Sequence, residues 1–347
     1  MEIFECAHCA TALTRPVARA RFPAHAHHQV RVNGRLPALM AAGSYAVDPE
    51  PSGPPWRPWS RVAPEEAERR GYWAPVRALS EGLPGRVVCA PGDVLGTEVV
   101  PERAAGGCCG IGGPNLACRG CRRIVGSLED LCDVWHAVWL EPDEVRARPV
   151  GPSPPPAGWA ELVHDRSAPP PLGPDGRWSP RAEQDATVAL VQLLAAADGA
   201  LVRFEHRSAA ALFGTMPEQL RPGGTGPARR CALHGPGLPL SDPRPELAIV
   251  PLHPQTGESW PVPPGVTAVP LDLDLWRHLA HGRHRPAVRV GGALRAALDR
   301  DEPAPAPHPP PAWFDAGLLA DLLARRPAVR GPALGFAHCA ARTRTWW

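Results

Sequence analysis

The sequence predicts an α+β fold in which an N-terminal domain of short antiparallel strands, 1–141, is followed by a second α+β domain, 181–300. Proline-rich linkers occupy 142–180 and the start of 301–347, a segment that also carries a last helix and a tail. Three observations lead to this. The chain has 347 residues, more than one hydrophobic core of about 100–200 residues usually serves. Two C-x-x-C pairs, Cys6/Cys9 and Cys118/Cys121, stand at the two ends of the first 141 residues. Finally, 47 prolines and 34 glycines cut the chain into short elements, with proline runs inside the two linkers, a composition near that of long irregular segments.

Composition excludes several activities. Net charge is +2, so no global field favours nucleic acid or an anionic membrane. All 37 basic residues are arginine. A Walker A lysine, a Schiff-base lysine and a kinase-type lysine are therefore absent, since each needs a primary ammonium. Met1-Glu-Ile-Phe-Glu-Cys6 has neither the basic nor the apolar region of a secretory signal, and the apolar run 187–197 is too short to span a bilayer. A cytoplasmic chain without membrane association is expected, and in a reducing compartment C-x-x-C pairs read as metal ligands or redox dithiols before disulfides.

The cysteines carry the strongest signal. Four of the ten lie within the fourteen residues from Cys108 to Cys121. Cys6-Ala-His-Cys9 and Cys118-Arg-Gly-Cys121 are each followed, four residues after the second cysteine, by an apolar residue, Leu13 and Val125. Two such pairs supply the four thiolates of a closed structural zinc site. A thioredoxin-like dithiol needs one pair at a strand-to-helix junction, and neither pair has that setting. The repeated pattern resembles the paired knuckles of zinc-ribbon proteins, where each C-x-x-C turn leads into a strand and both turns grip one ion. That family usually places glycine directly after the second cysteine; here Ala10 and Arg122 stand there.

The expected ligands are Cys6, Cys9, Cys118 and Cys121. The rival set is a local site from Cys108 or Cys109 with Cys118, Cys121 and Cys132, which would leave Cys6 and Cys9 to His25, His27 and His28. One ion per chain separates the first arrangement from the two ions of the second.

In chain order, the alternating run through Phe22 reads as a strand with Arg19 and Arg21 on its exposed face. Asp48 to Trp59 reads as an extended proline-rich loop. Its Trp56-Arg57-Pro58-Trp59 resembles the W-R-P-W co-repressor-binding motif, which in that family stands at the extreme C-terminus; internal here, it reads as tryptophans packing over a polyproline-like segment. Pro64 with Glu65 and Glu66 opens a short helix. Strands follow at 86–90 and 97–100 around Pro91-Gly92-Asp93, with Cys89 a buried small hydrophobe. The glycine-rich loop 110–116 lacks the third glycine of a dinucleotide fingerprint, and Pro114 removes a donor. The segment 127–140 carries both a helical stripe (Leu128, Leu131, Cys132, Trp135, Val138, Trp139) and a strand-like run; the strand is preferred for 135–140.

In the second domain, Ser179 caps and Pro180 opens a helix over 181–197 that Asp198-Gly199 ends. Strands are expected at 202–205, 247–252 and 266–271, a short helix at 208–213 and a last one at 312–326. Asp272-Leu-Asp274 has the form of the metal-nucleotide motif of many glycosyltransferases, and equally that of a helix cap. His278, His281 and His284 recur every three residues, within a basic patch of Arg277, Arg283, Arg285, Arg289, Arg295 and Arg300.

None of H-E-x-x-H, H-x-E with P-C-x-x-C, or G-x-S-x-G occurs, so no catalytic residue is assigned. The leading expectation is a cytoplasmic zinc-binding protein with an interaction or scaffold role and a protein partner. One alternative is a zinc hydrolase with an open site near Cys108, Cys109 and His25 to His28. Another is a nucleic-acid-binding zinc-ribbon protein using Arg119, Arg122, Arg123 and the 277–300 patch. As a whole the chain resembles a class of cysteine- and proline-rich proteins from GC-rich actinobacterial genomes, a resemblance that implies no activity.

Overall fold

The computed structural model describes residues 1–28, 30, 36–104, 113–130, 134–165, 170–173, 177–214, 216–220, 227–282 and 314–326. The chain divides into two compact units, one of Met1–Arg70, Pro75–Pro156 and Pro254–Gly257, the other of Gly71–Ala74, Ala157–His253 and Glu258–Trp347.

The first unit is built from β1 (Glu2–Cys6), β2 (Ala18–Arg19), β3 (Ser44–Val47), β4 (Trp56–Pro58), β5 (Ala78–Ser80), β6 (Val87–Cys89), β7 (Thr97–Val99), β8 (Leu116–Cys118), β9 (Ile124–Glu129), β10 (Ala137–Leu140) and β11 (Val145–Pro149), with short helices α1 (Pro64–Arg69) and α2 (Pro101–Ala104). Its main sheet runs β2-β3-β6-β10-β9-β8-β7; β2 and β3 are parallel and the other neighbours antiparallel.

Both faces of this sheet are covered, and the period-2 alternation of strand side chains sorts residues between them. Tyr45, Val87, Cys89, Val138 and Leu140 join one core with Cys6, Leu13, Cys118 and Val125. Their neighbours Ala46, Val88, Ala137 and Trp139 join another with Leu39 and Trp135. Two-sided burial explains why 134–140 reads as a continuous apolar run in which a helical stripe competes with a strand. The ladder settles it as strand, with Ala137 to Leu140 paired to Glu129 to Gly126. Gly126 is required there, since a Cβ at that position would lie 2.1 Å from the Trp139 carbonyl oxygen.

Two proline-rich stretches are more ordered than the sequence predicts. Val145–Pro149, inside the stretch read as linker, pairs along its whole length with β1 as β11. The terminal ammonium of Met1 extends that pairing by donating to the Gly151 carbonyl at 2.7 Å and the Ser153 hydroxyl at 2.9 Å. Pro149 is tolerated because it ends a strand whose residues after Val145 are exposed. Trp56–Pro58, read as loop, forms β4 and pairs with β5. Trp56 is 52% exposed, so it does not pack down as expected. Beside that ladder, Arg57 of β4 pairs with Glu66 of α1 and, at 3.0 Å, with Glu81.

The second unit departs from the α+β expectation. Strands β12 (Val202–Phe204), β13 (Arg229–Leu233), β14 (Leu247–Leu252) and β15 (Thr267–Asp272) form a parallel sheet in sequential order. Helices α3 (Trp159–His164), α4 (Pro180–Ala197), α5 (Arg207–Phe213), α6 (Met216–Gln219), α7 (Leu273–His281) and α8 (Ala316–Ala324) accompany it. Parallel strands are buried on both sides, which is why the first five residues of β14 are all buried.

The α4 boundaries follow the sequence signals. The Ser179 hydroxyl accepts from the Ala182 amide at 3.2 Å, and Asp198 (φ 48°) and Gly199 (φ 77°) leave the helix through the left-handed region. The D-x-D pair is a cap: Asp272 accepts from the Asp274 amide at 3.0 Å to start α7, and Asp274 binds Arg277 at 2.6 Å. Trp276, fully buried, donates to the Ile249 carbonyl at 3.2 Å and fills the space a side chain at Gly235 would need. No helix among the described residues is long and apolar enough to cross a membrane.

Replacing Ser179 with alanine orphans one amide at the start of the longest helix described. Ser179→Ala should lower the stability of the second unit by about 1 kcal/mol, read as an earlier urea transition; an unmoved transition would show that the cap contributes nothing.

Candidate metal centre

Each C-x-x-C segment follows a strand and reverses direction with the same hydrogen bonds. After β1, the Cys6 amide donates to the Thr11 carbonyl and the Ala10 amide to the Cys6 carbonyl, both at 2.9 Å. After β8, the Cys118 amide donates to the Arg123 carbonyl and the Arg122 amide to the Cys118 carbonyl, both at 2.8 Å. The sequence repeat is thus a geometric repeat, and its apolar members Leu13 and Val125 are both fully buried anchors.

The residue after each second cysteine lies in the left-handed region, Ala10 at φ 59° and Arg122 at φ 65°. The tight turn therefore forms without glycine at either position, at a cost of about 1–2 kcal/mol each. Ion pairs surround the second turn: Arg122 binds Glu98, and Arg123 makes two bonds of 3.2 Å to the Glu144 carboxylate. The Ala7 amide donates to the Glu144 carbonyl, and Arg119 to Gly96, each at 2.9 Å, so both turns are tied to neighbouring segments.

The two turns face each other. Sγ of Cys6 lies 3.6 Å from that of Cys121, Sγ of Cys9 lies 3.6 Å from that of Cys118, and all four sulfurs lie within 4.8 Å of one another. A disulfide would need about 2.05 Å, and the four are free thiols. A tetrahedral ion with metal–sulfur bonds of about 2.3 Å places its ligands about 3.8 Å apart, so the spacing fits a metal with little adjustment. Cys6 and Cys118 are buried, Cys121 is half-buried and Cys9 is exposed.

The electrostatics point the same way. The Thr11 hydroxyl, 3.2 Å from Cys9 Sγ, and the Thr11 backbone hold the Cys9 thiol down at about 6. At Cys121 the Arg123 amide favours the thiolate, yet burial and the thiols of Cys9, Cys6 and Cys118 outweigh it and push the group up to about 12. Without a cation, the cluster cannot ionise fully, because each charge opposes the next.

Sequence reasoning found these four residues but missed their supports. Gly120 is one: a Cβ there would lie 2.3 Å from Thr11 Oγ1 and 3.2 Å from Cys9 Sγ. Thr11, two residues after Cys9, is the other; only its position beside the knuckle signals it.

The histidines lie elsewhere. His25 is buried with its ring 4.8 Å from that of Trp135. His27 Nε2 is 2.7 Å from Asp48 Oδ2, and its ring stacks on Trp139 at 5.2 Å. Burial acts to raise Asp48, but the His27 hydrogen bond and charge hold its carboxyl below the usual range. Among the described residues the four-cysteine group is the one cluster of metal-ligand atoms, and no histidine belongs to it. The mixed site of Cys6 and Cys9 with His25, His27 and His28 is therefore not formed.

Cys108, Cys109 and Cys132 lie outside the described residues, as do His284, Arg283, Arg285, Arg289, Arg295 and Arg300. His278 and His281 pack edge-on against Trp178 and Trp276. Cys89 and Cys231 are fully buried, and burial pushes both thiols up to about 12, as inert small hydrophobes require. A cleft of about 470 Å³ is lined by Arg19, Arg21, Phe22 and Thr256 among others, with no cysteine, histidine or carboxylate among the described residues of its wall. Compared with protein-family models, with curated proteins and with solved structures, the chain matches none.

Two substitutions test the geometry. Ala10→Gly relieves a left-handed alanine and should stabilise the first unit by up to about 1 kcal/mol, measured by thermal melting. Gly120→Ala should displace Thr11 and Cys9 and weaken metal retention against a competing chelator; unchanged retention would mean that the knuckles are not packed as described.

Proposed function

We propose that Cys6, Cys9, Cys118 and Cys121 together hold one zinc ion, and that the chain is a zinc-stapled interaction protein of a reducing, cytoplasmic setting. The carrying observation is the convergence of four sulfurs from segments 109 and 115 residues apart to within 4.8 Å. An all-thiolate tetrahedral donor set suits zinc or iron, and zinc sites of this composition are structural. The ion would supply the positive charge that lets four thiolates coexist, and with all positions taken by sulfur it leaves none for a reacting water. Closing a loop of this length corresponds to roughly 4–5 kcal/mol of chain entropy in the unfolded state.

A protein partner is favoured over nucleic acid. Of the three arginines beside the second knuckle, Arg122 and Arg123 are already paired with Glu98 and Glu144, which leaves Arg119 for phosphate. By contrast β7, at the end of the main sheet beside this knuckle, carries the exposed apolar Val99, with exposed Leu95 just before it. Exposed apolar side chains on a sheet edge suit protein contact.

Protein purified without chelator should carry one zinc per chain by elemental analysis. Cys118→Ser should lose the metal and lower the melting temperature of the first unit, while Cys89→Ser keeps the metal. A folded wild-type chain without metal would overturn the reading. Zinc loading should release protons, and affinity should fall as the buffer is taken from about pH 8 to about pH 6, because protons compete for the thiolates. A pH-independent affinity would exclude thiolate ligation.

A further inference from the structure

Two sulfur–sulfur approaches of 3.6 Å, both across the two knuckles, join a more accessible cysteine to an enclosed one. Exposed Cys9 lies 3.6 Å from buried Cys118, and half-buried Cys121 lies 3.6 Å from buried Cys6. From this pairing we infer that the centre is a peroxide-oxidation site in which Cys9 reacts first and Cys118 resolves it, exchanging the metal link between the knuckles for a disulfide link.

The metal arm of this inference rests on the zinc reading; the sulfur pairing stands on the geometry of the two knuckles alone. Cys9 is the accessible member of its pair, and oxidation of cysteine follows access and thiolate character. Its thiolate attacks one oxygen of hydrogen peroxide; the O–O bond breaks, an S–O bond forms, and the departing hydroxide takes a proton to become water. Cys9 is then a sulfenic acid. The Cys118 thiolate, already in van der Waals contact, attacks the Cys9 sulfur; the S–O bond breaks, the S–S bond forms, and the second hydroxide is protonated to water. Two thiolates have lost two electrons, and one peroxide with two protons has become two waters. An ion held by four sulfurs has lost two of them and is released. Cys121 and Cys6 are placed to repeat the sequence.

The pairing across knuckles decides what oxidation does to the fold. A link within one C-x-x-C would leave residues 6–9 free of residues 118–121 once the metal had gone. A Cys9–Cys118 bond keeps together two points 109 residues apart, so the first knuckle stays joined to the second. Oxidation would remove the ion without cutting the staple.

The test treats the full-length zinc-loaded chain with graded hydrogen peroxide, following zinc with a coloured chelator and mapping disulfides by mass spectrometry after alkylation. The first new linkage should join the Cys9 and Cys118 peptides and appear together with zinc release. Cys9→Ser removes a ligand and with it the metal, so it is read on the disulfide map: oxidation of the three remaining cysteines should be slowed about tenfold or more, and Cys121→Ser should still form the Cys9–Cys118 link. In Cys118→Ser, dimedone should trap a sulfenic acid on Cys9. Should that variant fail to fold, the wild-type map alone decides. Links within a knuckle, Cys6–Cys9 or Cys118–Cys121, or a sulfinic acid on Cys9 beside reduced Cys118, would overturn the inference. A preparation that contains no zinc yet forms the Cys9–Cys118 link would sink the zinc reading and leave the oxidation site standing.

Discussion

Four sulfur atoms drawn from two distant segments meet within 4.8 Å, and charge is the constraint that follows. As thiols they are weakly interacting small hydrophobes; as thiolates they repel at close range in a partly buried place. Only a cation lets the ionised form persist. The first unit is arranged to bring the sulfurs together in spite of this repulsion, through fully buried Leu13 and Val125, the repeated turn hydrogen bonds and the close approach that Gly120 allows.

The main sheet carries that constraint outward. β8 ends in Cys118 and lies next to β9, whose Val125 shares a core with Cys6 and Leu13. On the other side β1 ends in Cys6 and is held by β11 along five register pairs. The cluster therefore sits where the ends of two strands meet, each strand fixed by its own partner. A metal held there would join two rigid supports, so its loss is expected to loosen strand ends more than the sheet centre, where β6 and β10 are buried on both faces.

Local chemistry was readable in the residues; long-range pairing was not. The C-x-x-C-x-x-x-apolar repeat named the four cysteines and both anchors because ligand spacing and apolar position are local properties. The boundaries of α4 followed from Ser179, Pro180 and Gly199 for the same reason. The order of the strands depends on which distant segments share a core. Val145–Pro149, rich in arginine beside a run of prolines, carries little local sign that it pairs with the N-terminus. The parallel sheet of the second unit was likewise hidden, since short apolar runs do not state their direction. The absence of glycine after each knuckle proved uninformative, because Ala10 and Arg122 accept the left-handed conformation that glycine would adopt freely. His25 and His27 look like ligands in sequence; His25 packs against Trp135 and His27 meets Asp48 instead.

The zinc ion proposed here would be bound by four cysteine sulfurs and by nothing else. X-ray absorption at the zinc edge of the purified full-length protein measures this directly. A single shell of four sulfur scatterers at about 2.3 Å, lost together with the ion in Cys6→Ser, is expected. A shell containing nitrogen or oxygen at about 2.0–2.1 Å, or a folded protein with no zinc edge at all, would contradict it.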